Sequence, residues 1–501
     1  MDVQYIIVQA GGKGTRMGYL TRNKPKALVP VRNLPMLFHL FRKYPDKKFI
    51  IIGDYQYTVL ERYLETFAEV TYQLVSGQGF TGTCAGLRNA LERIPEGKPF
   101  ALIWSDLILP DTFVMPQVTG NYIGLAKDFP CRWKFENGTF CEETSREYGV
   151  AGFFLFQEKK LLADVPLEGE LVRWLGSCSF DKKELPLYQT KEYGVLSEYQ
   201  NQTAAQVCRP FNTIRTEGNR IIKEPADRQG LDLAVREKQW YRHVIKHEFD
   251  QIPQIFSFDP LTMERIDGEN IYACDCLSFE KKKEILSQIV ACLRSVHDMG
   301  KAPADPDSYY EAYIAKTFDR LNKIQRLVPF AEDEKIVING KRCRNVFFYR
   351  QELERMADKY MPQSFQFIHG DCTFSNLLLR ADGTPVLIDP RGYFGYTNLY
   401  GDAAYDWAKL YYSVVGNYDQ FNLKRFSLDI REQEVLLNIR SGHWEDMEET
   451  YFELLSGEVC KEQIRLFHAL IWLSLTTYAW EDYDSICGAF YNGLYYLEDL
   501  L

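Results

Sequence analysis

Short apolar runs alternate with stretches of helical periodicity through the first fifth of the chain. Tyr5-Ile6-Ile7-Val8 is an apolar run ending at a glycine-rich turn, and Pro35 to Tyr44 has apolar residues at helical spacing. The proline stands at a helix start, where its missing N–H costs nothing. Lys48 to Gly53 reads as a second buried strand, Tyr57 to Phe67 as a helix and Glu69 to Val75 as a strand. Cys84 to Ile94 reads as a helix, and Pro99 to Leu109 as a strand carrying Ser105-Asp106. Strands separated by helices of roughly 10–15 residues predict a mostly parallel sheet.

Residues 121–200 are less regular, with an antiparallel section expected around Val150 to Phe156. Beyond Gln206 the pattern changes. Phe211-Asn212-Thr213-Ile214, a turn over Thr216 to Asn219, and Arg220 to Glu224 predict a β-hairpin. A helix over Asp232 to His247, more strand and several long helices follow. These changes predict two domains, 1–205 and 206–501, the second with an N-lobe over about 206–275 and a C-lobe over about 276–501.

Composition narrows the class. The 501 residues include 59 Lys and Arg against 69 Asp and Glu, a formal net charge of -10. With 46% hydrophobic and 26% charged residues, the chain is expected to be globular and not disordered. The acidic balance argues against nucleic-acid binding, which needs a basic surface. No run reaches the roughly 18 apolar residues that span a bilayer, so membrane insertion is not expected. Residues 1–10 lack the basic start of a signal peptide, and the expected compartment is the cytoplasm. The 12 Cys are scattered. Cys274 and Cys276, and the group Cys131, Cys141 and Cys178, are expected to be reduced thiols and not metal ligands.

Candidate chemistry starts at Gln9-Ala10-Gly11-Gly12-Lys13-Gly14-Thr15-Arg16-Met17. A glycine-rich turn after a strand brings backbone N–H groups to phosphate oxygens, and a following helix adds its dipole. Arg16 adds a cationic fork. The segment has neither the G-K-[ST] ending of a Walker A loop nor the Rossmann spacing. Lys24-Pro25-Lys26-Ala27-Leu28-Val29-Pro30-Val31 follows. On this G-G-x-G-T-R-[ML] segment and its P-K-x-L-x-P-[VI] companion, residues 1–200 resemble the nucleotidyltransferases that make nucleotide sugars and CDP-alcohols. The resemblance implies an α/β domain with a mostly parallel, Rossmann-like sheet. It implies that Gly11, Gly12, Gly14, Thr15 and Arg16 hold NTP phosphates and that Lys26 neutralises charge between the α-phosphate and an incoming phosphate. Arg16 and Lys26 would thereby serve catalysis. Gly82-Thr83 matches a base-contacting loop, and Asp106 matches the Mg2+-binding aspartate. A second metal carboxylate is expected later in such a domain, with Glu198 as the candidate. The barrier to such a transfer is charge crowding on phosphates, so little acid–base work is needed.

The second constellation is His369-Gly370-Asp371, Asn376 five residues on, and Asp389 after an apolar run. A loop carboxylate followed by an amide oxygen and a second carboxylate can serve one Mg·ATP. Asp371 orients and deprotonates an attacking hydroxyl, while Asn376 and Asp389 ligate Mg2+. This H-G-D-x4-N…I-D pattern resembles the phosphotransferases that include aminoglycoside and choline kinases, over residues 207–501. The resemblance implies an α+β protein-kinase-like domain, with Lys223 as the ATP-phosphate lysine and Glu237 as its ion-pair partner. It also implies a hinge at Met263 to Glu269, and Asp402 and Asp406 as structural braces. No G-x-G-x-x-G loop precedes Lys223. Asp389 is followed by Pro390-Arg391-Gly392, unlike choline kinases, and Arg391 suits either an anionic substrate or a surface salt bridge.

Together the two halves predict a bifunctional enzyme. An ATP-dependent kinase would phosphorylate a small hydroxyl metabolite, and the other domain would couple that phosphate to a nucleoside monophosphate, releasing pyrophosphate. CTP and an amino alcohol are favoured, giving CDP-choline or a similar product for surface glycan or lipid decoration. The reason is a C-terminal set of aromatics and acids, Tyr478, Trp480, Glu481, Asp482, Tyr483, Phe490, Tyr491, Tyr495 and Tyr496, which suits a quaternary ammonium. A sugar or polyol kinase with nucleotide-sugar pyrophosphorylase activity is the alternative. A second alternative has one domain silent and serving as a regulatory or scaffolding module.

Overall fold

The computed structural model describes residues 2–203, 212–226, 228–274 and 277–501. Phe211 of the expected hairpin, Cys276 and the expected boundary near residue 205 lie outside the described residues. The chain divides into two compact units, Met1–Gln206 with Glu481–Asp484, and Val207–Trp480 with Ser485–Leu501.

The first unit is built on a nine-stranded mixed sheet. Tyr5–Gln9 lies between Lys48–Gly53 on one side and Phe100–Trp104 on the other, parallel to both, and Tyr72–Ser76 extends the parallel part. Ile6, Ile7, Val8, Ile51 and Leu102 are buried, as expected of strands covered on both faces, which read as continuous apolar runs. Gly149–Phe156 pairs antiparallel with Phe100–Trp104 and with Tyr122–Ala126. The chain leaves Tyr5–Gln9 for one neighbour and returns later to the other. The carboxyl ends of these strands are therefore a topological switch point, where open α/β sheets bind ligands.

Three local expectations change. The run Pro99 to Leu109 is two strands, Phe100–Trp104 and Leu107–Ile108, with Ser105 and Asp106 in the turn between them. The helix expected over Cys84 to Ile94 shortens to Leu87–Glu92, because Gly86 is left-handed at φ 73. Among the described residues, a 3-10 segment and not an α-helix directly follows the glycine-rich loop. Thr15–Thr21 is a 3-10 segment kinked at Gly18. Backbone N–H groups, not a long helix dipole, are what this loop offers an anion.

In the second unit, Asn212–Glu217, Arg220–Pro225, Leu261–Glu264 and Ile255–Phe258 form a four-stranded antiparallel sheet. Helix Arg228–Lys246 follows its second strand. The remainder is mainly helical, with helices Phe279–His297, Lys316–Ile324, Ala403–Val414 and Lys461–Leu475 among small sheets. Gly268–Asn270, Leu377–Arg380 and Pro385–Leu387 make one of these sheets, which carries Asn376 and Asp389 at its ends. No described helix is long and apolar enough to cross a membrane. Cys131, Cys141 and Cys178 are free thiols, and no metal-binding cluster of His, Cys, Asp or Glu occurs among the described residues.

Candidate active sites

In the first unit the glycine-rich loop sits at the switch point. Gly11 is packed so tightly that an added Cβ would lie 2.8 Å from Asp54 Cβ, whereas a Cβ on Gly12 would meet nothing within 4 Å. Gly14 is left-handed, with φ 63. Gly12, Lys13, Thr15 and Arg16 are exposed, so the loop offers its backbone and one guanidinium to open space. Opposite stands Asp106, whose Oδ2 accepts from Lys26 Nζ in a half-buried ion pair.

The second carboxylate near Asp106 is Glu192, which the sequence reading missed. Lys191–Glu192 pairs antiparallel with Leu107–Ile108, so Glu192 faces Leu107, and the Tyr193 N–H donates to the Asp106 carbonyl at 3.1 Å. Glu192 and Arg16 side chains meet over Gly194, where any Cβ would clash with Glu192 Oε1. Burial, and then the charge of Asp106, push the Glu192 carboxyl up to about 7. Glu198, the residue expected for this role, is exposed on helix Leu196–Thr203, and its charge also bears on Glu192. Only strand pairing sets the two apart, and no local motif around Glu192 signals it. The Gly82-Thr83 loop is held from beneath. Gly82 has φ 89 and packs on the Gly169 carbonyl, while Thr83 Oγ1 accepts the Leu171 N–H at 2.7 Å. The Thr83 side chain is thereby engaged in capping helix Leu171–Ser177.

In the second unit, a cavity of about 510 Å3 is lined by Lys223, Glu237, Asp371, Asn376 and Asp389. Lys223 Nζ donates to Glu237 at 2.9 Å and to Asp389 Oδ1 at 2.7 Å. Burial pulls the Lys223 ammonium down, yet these two carboxylates hold it above its ordinary value. Burial likewise pushes Glu237 up to about 7, against the pull of Lys223. The Asn376 amide donates to the Asp371 carbonyl at 2.8 Å and to its Oδ2 at 3.2 Å. Lys409, absent from the sequence reading, pairs with Asp371 Oδ1 at 3.0 Å.

The loop geometry is imposed by Asp406, which is wholly buried. Its Oδ2 accepts the His369 N–H at 2.8 Å and lies 3.1 Å from His297 Nε2, and its Oδ1 accepts the Gly370 N–H at 2.7 Å. Asp402 caps helix Ala403–Val414 and accepts from Tyr313 Oη at 3.0 Å. At the expected hinge, Glu264 holds Arg380 through two 2.9 Å bonds, and Asn270 and Tyr272 line the cavity. Among the described residues Arg391 makes no salt bridge. It is half-buried and donates to Tyr405 Oη at 3.0 Å and Tyr393 Oη at 2.6 Å. Of the C-terminal set expected to receive a quaternary ammonium, only Tyr478 lines the cavity. Phe490 and Tyr491 are core residues, and Glu481–Asp484 fall in the first unit.

Comparison with known proteins agrees with both halves. Residues 6–125 match the MobA-like NTP transferase domain, and residues 212–429 match the phosphotransferase enzyme family. Among curated proteins, the chain is similar to the bifunctional protein GlmU of Methanococcus maripaludis, with 27% identity over 24% of this chain and 29% of that protein. It is also similar to the mannose-1-phosphate guanylyltransferase regulatory subunit alpha of Dictyostelium discoideum, with 30% identity over 19% of this chain and 24% of that protein. The chain thus spans under a third of the length of these relatives. Among solved structures, HddC from Yersinia pseudotuberculosis is similar at 17% identity and TM-score 0.35, covering 40% of this chain and 99% of that one. The CTP:phosphocholine cytidylyltransferase of Streptococcus pneumoniae is similar at 18% and TM-score 0.33, covering 40% and 97%. The chain joins a nucleotidyltransferase domain to a phosphotransferase domain. The first matches the MobA-like NTP transferase model and the second the phosphotransferase enzyme family model, each over part of the chain.

Proposed function

We propose that the chain catalyses two consecutive transfers, the kinase step in residues 206–501 and the nucleotidyl step in residues 1–205. The observation that carries this reading is the assembly of both charge sets in one chain. Lys223, Glu237, Asp371, Asn376 and Asp389 share one cavity, and Arg16, Lys26, Asp106 and Glu192 gather beside the glycine-rich loop. In the first step Asp371 takes the proton of a substrate hydroxyl. The oxygen attacks the γ-phosphorus of ATP, the bond from γ-phosphorus to the β-phosphate oxygen breaks, and ADP leaves. In the second step an oxygen of the new phosphate attacks the α-phosphorus of an NTP and pyrophosphate leaves. The loop N–H groups and Arg16 hold the departing phosphates, and Lys26 offsets charge between the reacting ones. Mg2+ suits both carboxylate sets. Asn376 and Asp389 would hold it in one domain, and Asp106 with Glu192 in the other, where it neutralises phosphate charge. Such a protein works in the cytoplasm, where ATP and NTPs are found.

CTP is the nucleotide favoured from the sequence, and a mannose-1-phosphate guanylyltransferase regulatory subunit stands among the similar curated proteins. Of the two acceptor classes, the cavity lining supports a sugar or polyol over an amino alcohol. It contains Lys316, Arg320, Arg391 and Lys409 beyond Lys223, and of its carboxylates Glu237 and Asp389 are paired with Lys223 and Asp371 with Lys409, so the balance left over disfavours a quaternary ammonium. The assembled state of both sites argues against a silent domain.

The test is a pooled assay of purified protein with Mg·ATP, all four NTPs and a panel of hydroxyl acceptors, read by mass spectrometry. The expected product is an NDP-adduct that needs both ATP and one acceptor. Asp106→Ala should remove only adduct formation and Asp371→Ala only phosphorylation. Either variant leaving both activities intact refutes the assignment.

A further inference from the structure

The kinase cavity has two ends of opposite character. Around Lys223 one cation serves two carboxylates, Glu237 and Asp389. Beyond Asp371 the balance inverts, because Lys316, Arg320, Arg391 and Lys409 all line the cavity. The carboxylates that face them are Asp371, held by Lys409 at 3.0 Å, and Asp419, whose Oδ1 accepts the Ser375 N–H at 2.8 Å. The other three cations form no salt bridge among the described residues, although the charge of Glu311 bears on Lys316 and that of Asp371 on Arg391. Arg391 donates to two phenols, and Arg320 donates to the Ser474 carbonyl and lies over the Tyr478 ring. Lys316 opens helix Lys316–Ile324 directly after the π-helical turn Glu311–Ala315, a distortion that re-aims side chains and recurs at functional sites. Burial, then the charges of Arg391, Arg320 and Lys409, push the Lys316 ammonium well below its ordinary value.

Three cations that line one cavity without a direct ion pair repel one another, and such an arrangement marks a site that takes a counter-ion. The transferred phosphoryl group would lie beside Asn376 and Asp389, the groups assigned to Mg·ATP. We propose that the phosphoryl acceptor is a hydroxylated metabolite that already carries an anionic group, a carboxylate or a phosphate monoester, received by Lys316, Arg320 and Arg391. This rests on Asp371 being the group that faces the reacting hydroxyl. The reaction is unchanged in its bonds: the hydroxyl oxygen bonds to the γ-phosphorus, its proton passes to Asp371, and ADP departs. The acceptor's anionic group takes no part in bond making and sets only which molecule is admitted and how it lies.

The full-length protein, saturated with the non-hydrolysable ATP analogue AMPPNP and Mg2+, is titrated by calorimetry with glycerate, glycerol 2-phosphate, glycerol and choline. At least one of the two anions should bind roughly 10- to 100-fold more tightly than glycerol or choline, the worth of one or two charge-assisted hydrogen bonds. Which anion binds distinguishes a carboxylate from a phosphate monoester. Lys316→Met and Arg320→Met should each remove most of that preference, Lys316→Arg should restore it, and AMPPNP binding reports that each variant is folded. Choline or glycerol binding as tightly as both anions, or neither anion binding, overturns the proposal. So does a Lys316→Met variant that loses AMPPNP affinity and keeps the anion preference, since the cations would then serve ATP. The kinase reading is checked apart from this. Asp371→Asn should retain anion binding and lose ATP-dependent phosphorylation, and full turnover in that variant would remove the kinase reading whatever the anion result.

Discussion

Asp406→Asn is the most informative single change outside the reacting groups. The carboxylate accepts three bonds in a wholly buried setting: His369 N–H at 2.8 Å, Gly370 N–H at 2.7 Å, and His297 Nε2 at 3.1 Å. An asparagine has one acceptor oxygen. With that oxygen kept towards His369 and His297, its NH2 group faces the Gly370 N–H, donor against donor. One charge-assisted bond is lost, a buried N–H is orphaned, and the remaining bonds weaken as the charge goes. The sum is about 2–4 kcal/mol, or roughly 30- to 1000-fold in the equilibrium between the ordered and opened loop. Gly370 has φ 82, which glycine adopts without strain, so what fixes the loop is its bonds to Asp406. Hydrogen exchange at the Gly370 amide should lose protection by that factor, and phosphorylation should fall with it. The nucleotidyl half-reaction is the internal control and should not change. Unchanged protection at Gly370, with phosphorylation within about twofold of the parent, would refute the view that Asp406 shapes the loop.

Three further outcomes follow from the same geometry. Glu192→Gln should cut nucleotidyl transfer by roughly 100-fold, the scale of a lost electrostatic contact to reacting phosphates. Glu198→Gln should leave it within about twofold, and steady-state rates with Mg2+ compare the two. Gly12→Ala should keep the parent melting temperature and raise the KM for NTP, because its Cβ meets only open space, whereas Gly11→Ala should lower the melting temperature, because its Cβ falls 2.8 Å from Asp54 Cβ. His468 is buried and neutral, its Nε2 accepting from Trp472 Nε1 at 2.9 Å, and burial lowers it from 6.5 to about 3. The unfolded chain takes up this proton below about pH 6.5 and the folded chain does not, so stability falls with acidity at about 1.4 kcal/mol per pH unit between those values. His468→Gln keeps an acceptor for Trp472 and should remove that slope in denaturant titrations between pH 4 and 6.5; parallel slopes would refute the assignment.

The parts legible in the sequence are those carried by local order. The G-G-x-G-T-R and P-K-x-L segments, the H-G-D-x4-N pattern and the Lys223 strand each need only neighbours within a few residues to place their chemistry. Apolar runs such as Ile6 to Val8 and Phe49 to Ile52 announce strands buried on both faces. The strand expected from Pro99 to Leu109 failed for a local reason that periodicity does not report: the chain turns at Ser105-Asp106 to present the carboxylate.

Charge, by contrast, is decided across the chain. Glu192 reaches Asp106 only because a two-residue strand pairs with Leu107–Ile108, and Glu198, six residues on, points to solvent. The C-terminal aromatics suggested a cation site, yet Tyr483, Phe490 and Tyr491 are packed in the core and Tyr478 alone of the set lines the cavity. Helix Lys316–Ile324, helix Ala403–Val414 and the segment after Asp389 bring four cations to one cavity from far apart in sequence. Local motifs therefore determine what kinds of bond this protein makes and breaks, because phosphate chemistry needs a few groups at short spacing. Which molecule is admitted depends on a sum of charges over distant segments, and that sum exists only once the chain has folded.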